Sequence, residues 1–229
     1  MNKYSNEKYD NEIDNRDKDD RENIGSNNKS NYNNFSIVDN KQDVILSVDK
    51  TDKSYFLSMK LSNLTNSKID LEQLLSFKIY NLMEQLNPEV IEQIVILNHS
   101  NSDNDSMDIL FIFKPIGCEI GLKQKYMTMR TKREQHSNII CFKSLDFDLN
   151  ADEIIEYGLQ KMDKMTCHYA DLYIKIYNND LNNNIDECDI KYCFKITQTE
   201  ILPKYMEHLI GLMMKKIFIN LKNFILQIG

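Results

Sequence analysis

Polar residues dominate the first part of the chain, and a regular hydrophobic pattern begins only near residue 43. Residues 1–42 are rich in Asn, Asp, Lys, Ser and Glu, and their few apolar residues follow neither a helical nor a strand period. Such a segment cannot bury enough apolar surface to offset the entropy lost on ordering. The pattern therefore predicts a disordered tail over 1–42 and a single domain over 43–229.

Two short strands are predicted at the start of this domain. The segment DVILSV is apolar and partly β-branched, and the segment 53–61 alternates apolar with more polar positions. The alternating apolar positions are Tyr55, Leu57, Met59 and Leu61. Alternation of this kind places one side of a strand against a core and the other toward water.

A helix is predicted over 70–86. Its apolar positions recur at three- and four-residue steps, and Asp70 with Gln73 has the spacing of a capping box. Asn87 and Pro88 end the helix, because a proline disfavours helical geometry in the residue before it.

A run of strands is predicted after the proline. Segments 90–97 and 107–113 are short and apolar, with a polar loop between them. Two longer strands are expected over 118–130 and 138–148, on either side of a basic turn, RTKREQHS. Together these segments predict an antiparallel meander.

A second helix and two regular strands are predicted next. Asn150 and Glu153 form another capping box, and apolar positions continue at helical steps to Met165, although Gly158 weakens the pattern. The two strands each keep one apolar face. Those faces consist of Ala170, Leu172, Ile174 and Ile176, then Ile190, Tyr192, Phe194 and Ile196.

A long, broadly apolar helix closes the chain, from about Pro203 to Gln227. Its charged residues are expected on the solvent side, at Lys204, Glu207, Lys215, Lys216 and Lys222. A helix with so wide an apolar face needs a large concave surface to cover it. The predicted fold class is α+β: a curved antiparallel sheet packed on a long C-terminal helix, with one or two additional helices.

The order of these elements resembles that of START-like, helix-grip proteins of the polyketide cyclase and lipid-transfer type. The resemblance rests on SYFLSMKLSNLTNSKIDLEQLLSFKIYNLMEQLNPEVIEQIVIL and on the final helix, KYMEHLIGLMMKKIFINLKNFILQ. The helix near 151–165 is not part of the simplest family pattern. The resemblance implies that the sheet wraps the last helix, around a space that often holds a lipid, a sterol or another apolar molecule.

If this resemblance holds, seven apolar side chains are candidates to line the cavity. They are Phe111, Phe113, Tyr192, Phe194, Met206, Met213 and Phe224. The alternative is that these residues fill a dry core, because protein interiors are normally close-packed. A cavity of roughly 300 Å³ or more, the lower end of ligand pockets, would distinguish the two.

Charge argues against general nucleic-acid binding. The formal net charge is −7 and the isoelectric point is near 5.2, whereas phosphate binding needs a basic surface. One local exception is a set of cations near the predicted turn, for which a solvated strand and turn is the simpler interpretation. The set consists of Lys123, Lys125, Arg130, Lys132 and Arg133.

The cysteines do not suggest a disulfide framework, because they are odd in number and follow no secretory leader. They are interpreted as reduced core or strand residues: Cys118, Cys141, Cys167, Cys188 and Cys193. No segment has the roughly 18 uncharged apolar residues of a membrane span. A cytoplasmic location is expected, with the nucleus not excluded.

No catalytic signature, metal site or cofactor motif is predicted. GxGxxG, Walker, GxSxG and HExxH patterns do not occur. Cys167 and His168, with Cys188 and Cys193 downstream, match no zinc spacing, and neighbours in a strand point to opposite faces.

Three functional hypotheses remain. The first is a non-catalytic binding module, a carrier or sensor of a lipid or other apolar ligand held between the sheet and the last helix. The second is an interaction or scaffold protein that docks a partner through the last helix or a sheet edge. An enzyme on the same scaffold stays open, because fold does not determine function.

Overall fold

Nine strands form one sheet in the computed structural model, which describes residues 34–62, 64, 76–99, 106–178, 185–198, 206 and 208–228. The strands are Phe35–Lys41 (β1), Val44–Asp49 (β2), Tyr55–Leu61 (β3), Ile91–His99 (β4), Ser106–Phe113 (β5), Lys125–His136 (β6), Ile139–Leu145 (β7), Asp163–Asn178 (β8) and Ile185–Thr197 (β9). Their order in the sheet is β1-β2-β3-β9-β8-β7-β6-β5-β4. In this sheet order, every neighbouring pair from β2 across to β4 at the far edge is antiparallel. A short parallel pairing also joins β6 to β8.

The described helices are Ile79–Leu86 (α1), Ala151–Glu156 (α2) and Leu209–Ile228 (α3). The main core lies between one face of the sheet, here called the inner face, and α1 and α3. This arrangement confirms the predicted α+β class with a long C-terminal helix. No helix in the described part of the chain is long and apolar enough to cross a membrane.

The alternating strands behave as predicted. The four apolar positions of β3 are all buried on the inner face, and so are the four of β9. On β8, three of the four are buried and Ile176 is partly buried. Each fully buried side chain of this size contributes roughly 1.5–3 kcal/mol relative to an exposed one, so this face organises the core.

Residues 35–41, which the hydrophobic pattern places in the polar tail, form β1 at one edge of the sheet. A two-residue turn joins β1 to β2, and its residues Gln42 and Asp43 both have φ of 55°. Tight hairpin turns of this kind usually carry Asn-Gly or Asp-Gly. Because the turn is Gln-Asp, the sequence carries no such signal and the hairpin was not predicted. Residues 1–33, the rest of the predicted tail, lie outside the described residues.

The basic turn predicted after residue 130 is wrong, because β6 runs on to His136 and the turn is Ser137–Asn138. The strand predicted from residue 118 begins only at Lys125. A 3₁₀ turn at Cys118–Ile120 precedes it, between Gly117 and Gly121, which have φ of 79° and 87°. Left-handed glycines interrupt the extended backbone there.

The predicted cationic cluster is largely paired with acids. Arg130 Nε donates to Asp108 Oδ1 at 2.7 Å, and Lys123 and Lys125 both reach Asp163. Such pairs on a sheet surface reduce its net positive charge.

The capping box at Asn150 and Glu153 is confirmed, with Glu153 N donating to Asn150 Oδ1 at 2.9 Å. The helix does not continue to Met165, however. It ends at Glu156 because Gly158 takes a left-handed φ of 68°, and Met165 is buried in β8 instead. Leu159 then joins a second, smaller apolar cluster with Leu110, Ile112 and Tyr126 of β5 and β6.

The last helix buries apolar positions of its predicted face, among them Ile210, Ile217 and Leu221, and also a side that was expected in solvent. α3 begins at Leu209, and residues 199–205 and 207 before it lie outside the described part. The cap predicted at Asp70 for the first helix also lies outside it. Lys215 and Lys222, expected in solvent, are buried. Lys215 Nζ donates to Asp39 Oδ2 at 2.7 Å, and Lys222 Nζ donates to the carbonyl oxygen of Gln42 at 2.8 Å. The β1–β2 hairpin thus covers a side of α3 that no sequence pattern assigned to the core.

Candidate functional site

A small cavity lies in the middle of the main core, between the inner face of the sheet, α1 and α3. Its volume is about 40 Å³, and its wall is almost entirely apolar. The elements that enclose it contribute, among others, Tyr80, Met83, Met127, Tyr192, Met214 and Phe218.

A chain of hydroxyl groups runs along one side of this cavity. Thr131 and Ser144 face each other across β6 and β7, and their oxygens are 2.8 Å apart. The Tyr80 hydroxyl, from α1, donates to Thr131 Oγ1 at 3.4 Å. Burial raises the pKa of Tyr80 to about 12, so this phenol stays neutral at pH 7.

Tyr192 lies on the inner face of β9, within an aromatic stack. Its ring centroid is 4.7 Å from that of Phe194 and 5.1 Å from that of Phe218. Burial raises the pKa of Tyr192 well above its usual value, so it too is neutral. The stack fixes the ring, which leaves its hydroxyl in a defined position.

The electrostatics of the cavity wall are simple. Among the described residues that line it there is no carboxylate, lysine, arginine or histidine. The described part of the chain also contains no group of three or more His, Cys, Asp and Glu side chains that could hold a metal ion. The wall therefore offers hydroxyl groups and apolar surface, but no group that titrates near neutral pH.

The seven residues predicted to line a cavity fall in different places. Phe111 and Tyr192 line the central cavity, whereas Phe113 and Met213 line a second one of about 20 Å³ near the start of α3. Phe194 is fully buried and stacks on Tyr192 and Tyr55. The other two, Met206 and Phe224, are partly buried.

Sequence reasoning missed most of the actual lining. Tyr80 and Met83 lie on the apolar face of the first predicted helix, but nothing in the pattern places that helix over the sheet centre. Met127 and Met129 alternate along β6, and this signal could have identified them.

The cavity is far smaller than a ligand. Pockets for small molecules occupy about 300–1,000 Å³, and one water molecule needs about 10–15 Å³ of such space. About 40 Å³ is thus room for a few water molecules at most. The cavity is therefore well below the roughly 300 Å³ set above for a ligand cavity, and any ligand of ordinary size would require the surrounding elements to move apart.

The cysteines provide a direct check of the strand faces. All five are free, and Cys118 is exposed while Cys141, Cys167 and Cys188 are buried. Burial raises the pKa of the Cys167 and Cys188 thiols to about 12, which suppresses the reactive thiolate.

We expect iodoacetamide at pH 8 to alkylate Cys118 in the native protein within minutes and to leave the three buried thiols unmodified. Peptide mass spectrometry, with urea-unfolded protein as the control, checks this; rapid native labelling of Cys167 would contradict its inner-face position.

The fold has known counterparts. The structure of human STARD10 is similar over 93% of this chain and 80% of its own, with 11% sequence identity and a TM-score of 0.56. The Zhui aromatase/cyclase from Streptomyces sp. R1128 matches over 76% of this chain and 92% of its own, with 7% identity and a TM-score of 0.43. Ara h 8.0201 matches over 76% and 99%, with 10% identity and a TM-score of 0.41.

Sequence comparisons add nothing to this: no protein-family model matches the chain, and no curated protein sequence does. At 11% identity, the match to human STARD10 concerns the fold alone. It confirms the START-like, helix-grip architecture predicted from the order of the elements.

Proposed function

We propose that this protein is a non-catalytic binding module, a carrier or sensor, for an apolar ligand held between the sheet, α1 and α3. The observation that carries the proposal is the position and chemistry of the central cavity. It lies where the two helices and the inner face meet, and its wall is almost wholly apolar. A ligand site of this kind is normally apolar, with a few placed polar groups.

Widening of the cavity is part of the proposal, since its volume is only about 40 Å³. Four methionines line it: Met83, Met127, Met129 and Met214. Methionine has three rotatable bonds and a polarizable sulfur, so it adapts to irregular partners at low cost. The wall can therefore repack around a larger molecule more easily than a wall of branched side chains.

The short helix α1 is the element whose movement would open the site. It has eight residues, and it is held at both ends. Near its start, the Phe77 ring packs edge-on to Phe142 at 5.8 Å. Near its end, Asn220 Nδ2 of α3 donates to Asn87 Oδ1 at 2.9 Å. These contacts, the Tyr80–Thr131 hydrogen bond and the hydrogen bond from Ile94 N to Glu84 Oε2 would have to break or move for α1 to shift.

Binding is favoured over catalysis by the same wall. General acid–base chemistry needs a side chain whose pKa lies near the working pH. The titratable groups of the described wall are Tyr80 and Tyr192, and burial raises the pKa of both. Neither would exchange protons at neutral pH.

Ala170 allows a direct test, because it is buried and lines the cavity. The full chain, purified gently from cells, is expected to carry a stoichiometric apolar molecule in native mass spectrometry, identified by solvent extraction. Replacing Ala170→Val adds two methyl groups to the cavity wall and is expected to weaken the affinity about fivefold or more, as about 1 kcal/mol of overpacking predicts, and thereby to lower the occupancy.

The matched control is Ala151→Val, the same change at an exposed position at the start of α2. It should leave occupancy unchanged. Equal occupancy in the two variants would remove the cavity as the binding site, and protein at the bare sequence mass in every preparation would contradict the proposal.

That last result would favour the second candidate, a protein that docks a partner. Leu212 and Leu226 on α3 are large apolar residues left exposed, and Ile37 is exposed on the edge strand β1. Exposed apolar side chains and an edge strand are features that such a role uses.

A further inference from the structure

Three hydroxyl-bearing residues line the described cavity, and they are not equivalent. The hydroxyl groups of Tyr80 and Ser144 are both hydrogen-bonded to the hydroxyl of Thr131. The Tyr192 hydroxyl forms no hydrogen bond with any residue in the described part of the chain, although the residue is 92% buried, its relative exposure being 8%.

The unpaired hydroxyl must border open space. In the described structure, no fully enclosed side-chain nitrogen or oxygen lacks a hydrogen-bond partner. Since the Tyr192 hydroxyl has none, it is not fully enclosed, and the central cavity is the space that Tyr192 lines. Tyr192 is therefore the lining residue whose hydroxyl is not already hydrogen-bonded to a described protein group.

A donor that no described protein group satisfies, in an apolar wall, favours a ligand that can accept a hydrogen bond from it. Burying a hydroxyl without a hydrogen bond is unfavourable, and an oxygen that accepts from it removes the penalty. Because the pKa of Tyr192 is raised by burial, the group stays protonated and acts as a donor.

The charge of the ligand follows from the rest of the wall. The described lining contains no cationic side chain to pair with an anion and no carboxylate to pair with a cation. A charged group moved into such a space loses its hydration without compensation. The head of a fatty acid or a phospholipid would therefore have to remain outside.

From these features we infer that the ligand is a neutral, largely apolar molecule with a hydrogen-bond-accepting oxygen, such as a carbonyl, that takes the Tyr192 hydroxyl as its donor. This inference rests on the proposed binding function and deepens it. Tyr192 would be the residue that orients the ligand, and the methionines would supply the adaptable apolar surface.

Three small probes of similar size separate the contributions: toluene, acetophenone and benzoate. Isothermal titration calorimetry on the full chain is expected to show acetophenone binding about two- to tenfold more tightly than toluene, as one net hydrogen bond predicts. Benzoate is expected to bind weakest. In Tyr192→Phe the preference for acetophenone over toluene should disappear, while the affinity for toluene stays the same.

The matched control is Tyr173→Phe, the same change at a tyrosine that is 39% exposed. It should keep the preference. The melting temperature of Tyr192→Phe should not fall, because the lost hydroxyl has no partner in the protein, and this separates loss of recognition from loss of fold.

The titrations test the inferred ligand chemistry separately from the proposed binding function. If toluene and acetophenone bind equally to the wild type, or if the preference survives in Tyr192→Phe, the inference is overturned and apolar binding stands. If benzoate binds best, the neutral-ligand inference is overturned. If none of the three binds, the proposed function fails with it.

Discussion

Replacing Asp39→Asn is expected to lower the free energy of unfolding by about 3 kcal/mol, the cost of leaving one member of a buried ion pair without its partner. The ammonium group of Lys215 is the buried member: its side chain is 2% exposed, whereas that of Asp39 is 42% exposed. Asparagine keeps the shape and one acceptor oxygen but removes the charge. The Lys215 side chain would then lack its charged partner inside the fold, between α3 and β1. Urea denaturation followed by circular dichroism measures the loss.

Two comparisons make this result specific. Lys215→Met removes the buried charge together with the need for its partner, so it should cost less than about 1 kcal/mol, and it should restore most of the stability of Asp39→Asn in the double variant. The control Glu89→Gln weakens the pair with the neighbouring Lys216, which is 51% exposed, and should cost at most about 1 kcal/mol. An equal cost for Asp39→Asn and Glu89→Gln would show that Lys215 is not buried by β1.

Replacing Gly211→Ala is expected to lower the free energy of unfolding by about 2 kcal/mol, although alanine is the better helix former. A Cβ at residue 211 would lie 2.6 Å from Tyr55 Cε1 and 3.2 Å from Leu46 Cδ2. The first distance is far inside van der Waals contact, and the Tyr55 ring is already stacked on Phe194 at 5.3 Å. The ring cannot move without disturbing β9, so α3 would have to lift from the sheet.

The sign of the change in the free energy of unfolding caused by Gly211→Ala is the critical observation. In an exposed helix, Gly→Ala stabilises by about 1 kcal/mol, so a gain at residue 211 would contradict this close approach of α3 to β3. In a Tyr55→Leu background the ring is gone, and the cost of Gly211→Ala should largely disappear. The interaction energy from that double-mutant cycle, measured by urea denaturation, isolates the clash from the helix propensity.

The site was less predictable than the fold, for reasons that particular residues make clear. Tyr192 was found because it lies on a strand whose alternation identifies the inward face, whereas Phe111, on a strand that is apolar without alternation, was named only because the family resemblance implies a cavity. Tyr80 was not, since a helical pattern shows which side of α1 is apolar but not which part of the sheet it covers. The missing hydrogen bond of Tyr192 depends on where every neighbouring oxygen lies, which no sequence pattern encodes.

The sequence by itself determined the order of the main elements from β2 onward, the inward faces of β3, β8 and β9, the capping box of α2 and the long apolar last helix. These features depend on local periodicity and on side chains a few residues apart. Only the tertiary structure decided that residues 35–41 form a strand, that Lys215 and Lys222 are buried against it, and that the cavity is closed by α1. Each of these depends on groups distant in the chain, such as Asp39 and Lys215, whose pairing offsets a burial that neither residue would favour alone.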